Sequence, residues 1–163
     1  MRFFFSLLLL AFILLSLQTT IFSHIPLLPV KPDLTLIMVV YIAIFHDDTA
    51  GIFLAFFLGC LMDTFSGSIT GMYALLRIGT FFLTKLAQQK LYLKSTLFYI
   101  CLTTVLSFID GLLVLFTVFV FSSVDTLWPF IFKFLFIQSI LTGIVTPLIF
   151  FICNQTRLLV ENH

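Results

Sequence analysis

Six apolar runs, divided by short polar breaks, fill nearly the whole chain, at about residues 3–22, 33–45, 50–62, 72–87, 95–121 and 127–153. The hydrocarbon core of a bilayer takes about 20 helical residues to cross, and inside it every backbone polar group must be satisfied by the chain itself. The pattern therefore predicts an all-α integral membrane protein: one transmembrane domain over residues 1–163, a bundle of six transmembrane helices, two of them short. At 61% hydrophobic and 9% charged, 163 residues leave no room for a soluble domain as well. A net charge of +1 gives no footing for nucleic acid, so the surrounding partner is membrane lipid. The 23 phenylalanines read as lipid-facing bulk, because a cofactor box would need converging polar groups that these stretches lack.

The first run follows Met1-Arg2 and resembles a signal peptide, but no small-x-small cleavage site follows. It continues as Gln18-Thr19-Thr20-Ile21-Phe22, so an uncleaved first helix is expected. Pro26, Pro29 and Pro32 then mark an extended loop. The second and third runs span only about 20 Å each as helix, short of the ~30 Å core. They are two short spans or the two arms of a re-entrant hairpin. Lys85, Lys90 and Lys94 mark a cytoplasmic loop, and Arg2 and Arg157 cytoplasmic ends. This orientation requires an even number of crossings before Lys85, which six helices with both termini inside provide. Four helices plus a hairpin would provide it too. Pro129 falls in the first turn of the last run, where proline is tolerated, and Pro147 predicts a kink there.

Asp63, Arg77, Asp110 and Lys133 interrupt these runs. A charge near mid-membrane costs about 3 kcal/mol or more, so it normally faces protein or water. Tyr73, Arg77, Thr80, Thr84 and Gln88 share one helical face, as do Thr103, Ser107, Asp110 and Thr117, and likewise Gln138, Thr142 and Thr146 with Ser139 and Gly143 beside them. These stripes should turn inward. Arg77 and Asp110 are the preferred buried pair, with Asp63 the competing partner. Lys133 lies off its helix's stripe and can snorkel to the outer interface. Gly51, Ala55 and Gly59 form a small-residue face suited to close helix approach, leading to Asp63 one step further on.

Nothing in the sequence supports catalysis, a cofactor or a metal. Asp63 and Asp110 lack the context of an aspartyl dyad. His24 and His46 have no metal-ligand spacing, and there is no Gly-rich phosphate loop. Cys60, Cys101 and Cys153 are widely separated and are expected as buried thiols within helices.

The stretch 32–79 carries a resemblance. Pro32-Asp33-Leu34 opens the second run and glycines 51 and 59 mark the third. Leu61-Met62-Asp63-Thr64-Phe65-Ser66-Gly67 then leads to Gly71-Met72-Tyr73-Ala74-Leu75. A glycine-bearing helix, an aspartate, the Ser66-Gly67 pair and then Gly71 opening the next helix resemble the rod shape-determining protein MreD family; elsewhere the match is in hydropathy and size. The resemblance implies a non-enzymatic subunit of the bacterial elongation (rod shape) machinery in the cytoplasmic (inner) membrane. It further implies association with an MreC-like bitopic membrane protein and, through it, with MreB, RodZ, a SEDS glycosyltransferase and a penicillin-binding transpeptidase, in support of peptidoglycan synthesis. It implies a fold similar to the substrate-binding subunits of energy-coupling-factor transporters. His46-Asp47-Asp48 departs from the basic turn expected there. A small solute-binding or transport subunit of the vitamin-uptake type is the alternative.

Overall fold

The computed structural model describes residues 12, 13, 16, 32–45, 48–66, 71–90, 96–121 and 128–161. Among them the chain forms five helices: α1 (Leu34–Phe45), α2 (Asp48–Ser66), α3 (Met72–Lys90), α4 (Thr96–Phe121) and α5 (Trp128–Glu161). The last five predicted runs correspond to these helices. The predicted first helix, the proline loop, His46-Asp47 and the Gly67–Thr70 part of the connector lie outside the described residues, apart from the three positions near the N-terminus. Thr96–Thr117 in α4 and Phe132–Gln155 in α5 are long and apolar enough to cross a membrane. The apolar stretches Leu34–Phe45 and Thr49–Phe65 are shorter.

Residue pairs across the bundle fix its topology. Asp33 meets Arg77 and Ile44 meets Gln88, so α1 and α3 run in the same direction. Asp33 meets Thr142 and Tyr41 meets Phe150, so α5 runs with them. α2 and α4 run the opposite way: Gly51 lies at Phe81 and Gly59 at Ala74, while Phe45 lies beside Tyr99 at the other end of α1 from Asp33. The five helices thus alternate up and down.

α1 is the centre. Every residue from Leu34 to Ala43 is buried, and a helix that is apolar all round belongs in a core. At 12 residues it is only about 18 Å long, too short to match a bilayer. That length is tolerated because α1 is wrapped by helices rather than lipid. Its Asp33 lies level with Arg77, five residues in from the start of α3, so α1 begins about 8 Å inside the end of the bundle.

Phenylalanines cover the outside: Phe53, Phe82, Phe116, Phe136 and Phe151 are exposed, while Phe81 packs in the core. α2 extends past the predicted 50–62 to 19 residues, about 28 Å. α5 likewise runs eight residues past the predicted end at 153, with Pro147 inside it.

Candidate functional site

The polar stripes meet in the interior. Arg77, Thr80 and Thr84 of α3, Thr103, Ser107 and Asp110 of α4, and Ser139, Thr142 and Thr146 of α5 are all buried. Four predicted members sit further out: Tyr73, Thr117 and Gln138 are half-buried, and Gln88 is exposed, donating to the Ile44 carbonyl at the far end of α1.

Arg77 is the hub. Its side chain is fully buried, and its two terminal nitrogens go to different helices. One donates to Asp110 Oδ2 at 2.9 Å and the other to Asp33 Oδ2 at 2.5 Å. The guanidinium therefore bridges two carboxylates rather than forking onto one. Its Nε is buried without a hydrogen bond among the described residues, and its carbon stands 5.8 Å from the centre of the Tyr73 ring, at cation–π distance.

Asp33 is the participant that sequence reasoning missed. It precedes the first residue of α1, and its Oδ1 accepts from the Leu36 amide at 3.0 Å and the Thr35 hydroxyl at 2.7 Å. This is an N-cap, needed because the first amides of a helix have no partner within it. Here the helix start is buried, so water cannot take over. The Asp33 amide itself donates to Thr142 Oγ1 at 3.2 Å. The signal was legible, since an aspartate immediately before an apolar run is a start mark. Read as a run's edge, however, Asp33 belonged at the interface, and only the inset of α1 carries it to the depth of Arg77.

Asp63 stands apart from this network, where sequence reasoning had grouped it with Arg77 and Asp110. It lies near the end of α2, and its carboxylate accepts from the amides of Gly71 (3.0 Å), Tyr73 (3.0 Å) and Ala74 (3.3 Å). It is a cap supplied to α3 by the preceding helix, and the positive end of the α3 dipole meets its charge. Gly71 has φ of +93°, a left-handed turn that glycine adopts without a Cβ clash. The small-residue face of α2 brings Asp63 there. Gly51, Ala55 and Gly59 are buried, and a Cβ on Gly59 would collide with the backbone of Tyr73 and Ala74. The Ser66 backbone ends α2.

The hydroxyls in the core are largely satisfied by their own helices: Thr80, Thr84, Thr142 and Thr146 each donate to the carbonyl four residues back. Two links cross from α4 to α5, Thr103 with Thr146 at 2.8 Å and Ser107 to Thr142 at 3.4 Å. Of the cysteines, Cys153 is buried but Cys60 is half-buried and Cys101 exposed. The expectation of buried thiols holds at one position because the outer faces of α2 and α4 carry the other two. Lys133 is exposed on α5.

A cavity of about 280 Å³ opens between α3 and α4, with Leu76, Gly79 and Leu113 on its walls and Thr80 and Asp110 reaching it. A second, of about 360 Å³, lies near Pro147 and is lined mainly by Tyr41, Phe45, Tyr99 and Phe150, whose rings pack on one another.

A buried Asp–Arg–Asp bridge among hydroxyls that satisfy themselves is an architecture for holding helices together. The model of the family described as rod shape-determining protein MreD matches residues 1–156. The chain belongs to the MreD family. It is a membrane protein with a role in rod shape determination, and MreD is not a known enzyme family. No curated protein and no solved structure matches this MreD-family chain.

Proposed function

We propose that this chain is a non-enzymatic membrane subunit of the bacterial elongation complex. It binds an MreC-like bitopic protein and through it supports peptidoglycan synthesis at the cytoplasmic membrane. Residues 3–22 supply a sixth helix, both termini lie in the cytoplasm, and the bundle follows the plan of energy-coupling-factor substrate-binding subunits. The observation that carries the scaffold reading is the bridged Arg77. Its two terminal nitrogens are taken up by Asp33 and Asp110, and the neighbouring hydroxyls by backbone carbonyls. A solute site needs polar groups that converge on a cavity and await a ligand; here they converge on one another.

Co-purification in mild detergent tests the proposal. An MreC-like single-span protein should be retained at a fixed ratio, and depletion of this chain should turn rods into spheres. Isolation without that partner, but with a bound vitamin-like solute, would overturn it.

A further inference from the structure

Two ionisable groups have room for a further partner. Among the described residues Asp110 has one, the Arg77 nitrogen on its Oδ2, and it reaches the cleft between α3 and α4. Those two helices are loosely packed against each other, unlike the tight pairs α2–α3 and α4–α5. The cleft walls are apolar and open outward, with Leu75, Leu113 and Phe116 exposed along them. The buried cluster holds two carboxylates and one guanidinium. Asp33 also has a helix N-terminus, worth about half a positive charge, whereas Asp110 sits mid-helix without one.

Lys133 is the complement. It is exposed among Phe132, Phe134, Phe136 and Ile137, all outward-facing, and it makes no ion pair among the described residues. The antiparallel packing of α4 and α5 fixes its level. Gly111 abuts Leu135 and Ser107 reaches Thr142, which puts Lys133 level with residues 113–116, about 4–9 Å along the axis from Asp110. A flexible four-carbon lysine stem reaches along much of that offset. Within one chain α4 stands between the cleft and α5. Between chains no described residue does. Copies inserted in the same sense keep the same levels, so the Lys133 of one is presented at the height of the Asp110 of the next.

We propose that the α3–α4 cleft is a self-association site that receives the Lys133 face of α5 from a second copy of this chain. An apolar helix face closes over the cleft, and the ammonium supplies the second partner for Asp110. The contact makes the four-charge cluster Asp33–Arg77–Asp110–Lys133 neutral in a medium where an unbalanced charge is costly. Two matched cleft faces, or two matched α5 faces, would set like charges against each other, so the contact is cleft to α5. This inference is independent of the MreC reading.

The test is single-molecule photobleaching of the pure full-length chain in liposomes over a range of protein-to-lipid ratios. The wild type should show a dilution-dependent dimer or larger species, weakened at least tenfold by Lys133→Glu and retained by Lys133→Arg. In the Asp110→Asn background, Lys133→Glu should have a much smaller further effect. A chain carrying Leu113→Cys mixed with one carrying Ile137→Cys, both with Cys60→Ser and Cys101→Ser, should form a disulfide between chains even if Asp110→Asn fails to fold. A monomer at every density, association indifferent to Lys133→Glu, or cross-linking of position 113 to residues 3–22 of its own chain would each overturn the proposal.

Discussion

Asp33 holds Arg77 across 44 positions of sequence with one carboxylate oxygen while the other caps the helix that Asp33 begins. The start of the central helix and the charge cluster are therefore one construction. The N-terminus of α1 can be buried because Asp33 satisfies its amides, and Asp33 can be buried because Arg77 neutralises it. With Asp110 on the other side, the guanidinium ties α1, α3 and α4 together at one level.

Removing that hub leaves two buried carboxylates with no counter-charge between them. Breaking a buried pair by deleting one member costs about 3–5 kcal/mol, a large share of the stability of a small domain. Arg77→Ala should therefore sharply reduce the amount of protein in the membrane and its thermal stability in detergent. Arg77→Lys should rescue only part, because a point charge cannot extend two separate nitrogens to two helices. Lys133→Ala, at an exposed position, should change the unfolding of the isolated chain by no more than about 0.5 kcal/mol. Equal losses for Arg77→Ala and Lys133→Ala would count against the hub.

Asp63 calls for a different readout. Its carboxylate serves the amides of Gly71, Tyr73 and Ala74, so Asp63→Ala should fray the first turn of α3 at a cost of about 1 kcal/mol, up to about 2. Hydrogen exchange should accelerate at those amides before it does in the middle of α3. Asp63→Asn keeps one acceptor oxygen and should fall between the two. Uniform acceleration throughout the bundle would assign Asp63 to the core instead.

Much of this was written in the sequence, and the limits have physical causes. Helical periodicity placed Arg77, Asp110 and the threonines on inward faces, because a polar stripe in an apolar helix has one sensible direction. Periodicity says nothing of a helix's axial offset, however, so the 8 Å inset of α1 and the role of Asp33 stayed hidden. The same blindness grouped Asp63 with Arg77, when its place near the end of α2 aims it at the start of α3. Small residues at four-residue steps foretold a close helix face, but not that Gly59 would meet backbone rather than side chain.

That backbone contact sets a contrast between two glycines. A methyl at position 59 has no flexible neighbour to displace, since Tyr73 O lies 2.7 Å and Ala74 N 2.8 Å from where Cβ would stand. Gly59→Ala must push α2 off α3 and should cost at least the 1–3 kcal/mol (roughly) typical of overpacking. At Gly79 no atom of another described element lies within 4 Å of the added carbon, and alanine is the better helix former. Gly79→Ala should unfold at the same temperature as the wild type or slightly above. Thermal unfolding in one detergent compares the two directly, and similar midpoints would contradict the close approach at Gly59.

Thr142 and Thr146 lie one turn apart on α5 and look alike in sequence, yet their hydroxyls do different things. Thr146 shares a bond with Thr103, whose hydroxyl has the Tyr99 and Ile100 carbonyls as alternatives. Losing it strands no buried group, so Thr146→Val should cost about 0.6 kcal/mol, the average for interhelical hydrogen bonds in a membrane. Thr142 accepts the Asp33 amide at the buried start of α1. Thr142→Val keeps the shape and removes that acceptor, leaving a buried N–H without its partner at a cost of about 1–3 kcal/mol. The order Thr142→Val worse than Thr146→Val should appear in unfolding midpoints. Faster exchange at the Asp33 amide in Thr142→Val alone would trace the difference to that bond, and the reverse order would show that the start of α1 is satisfied some other way.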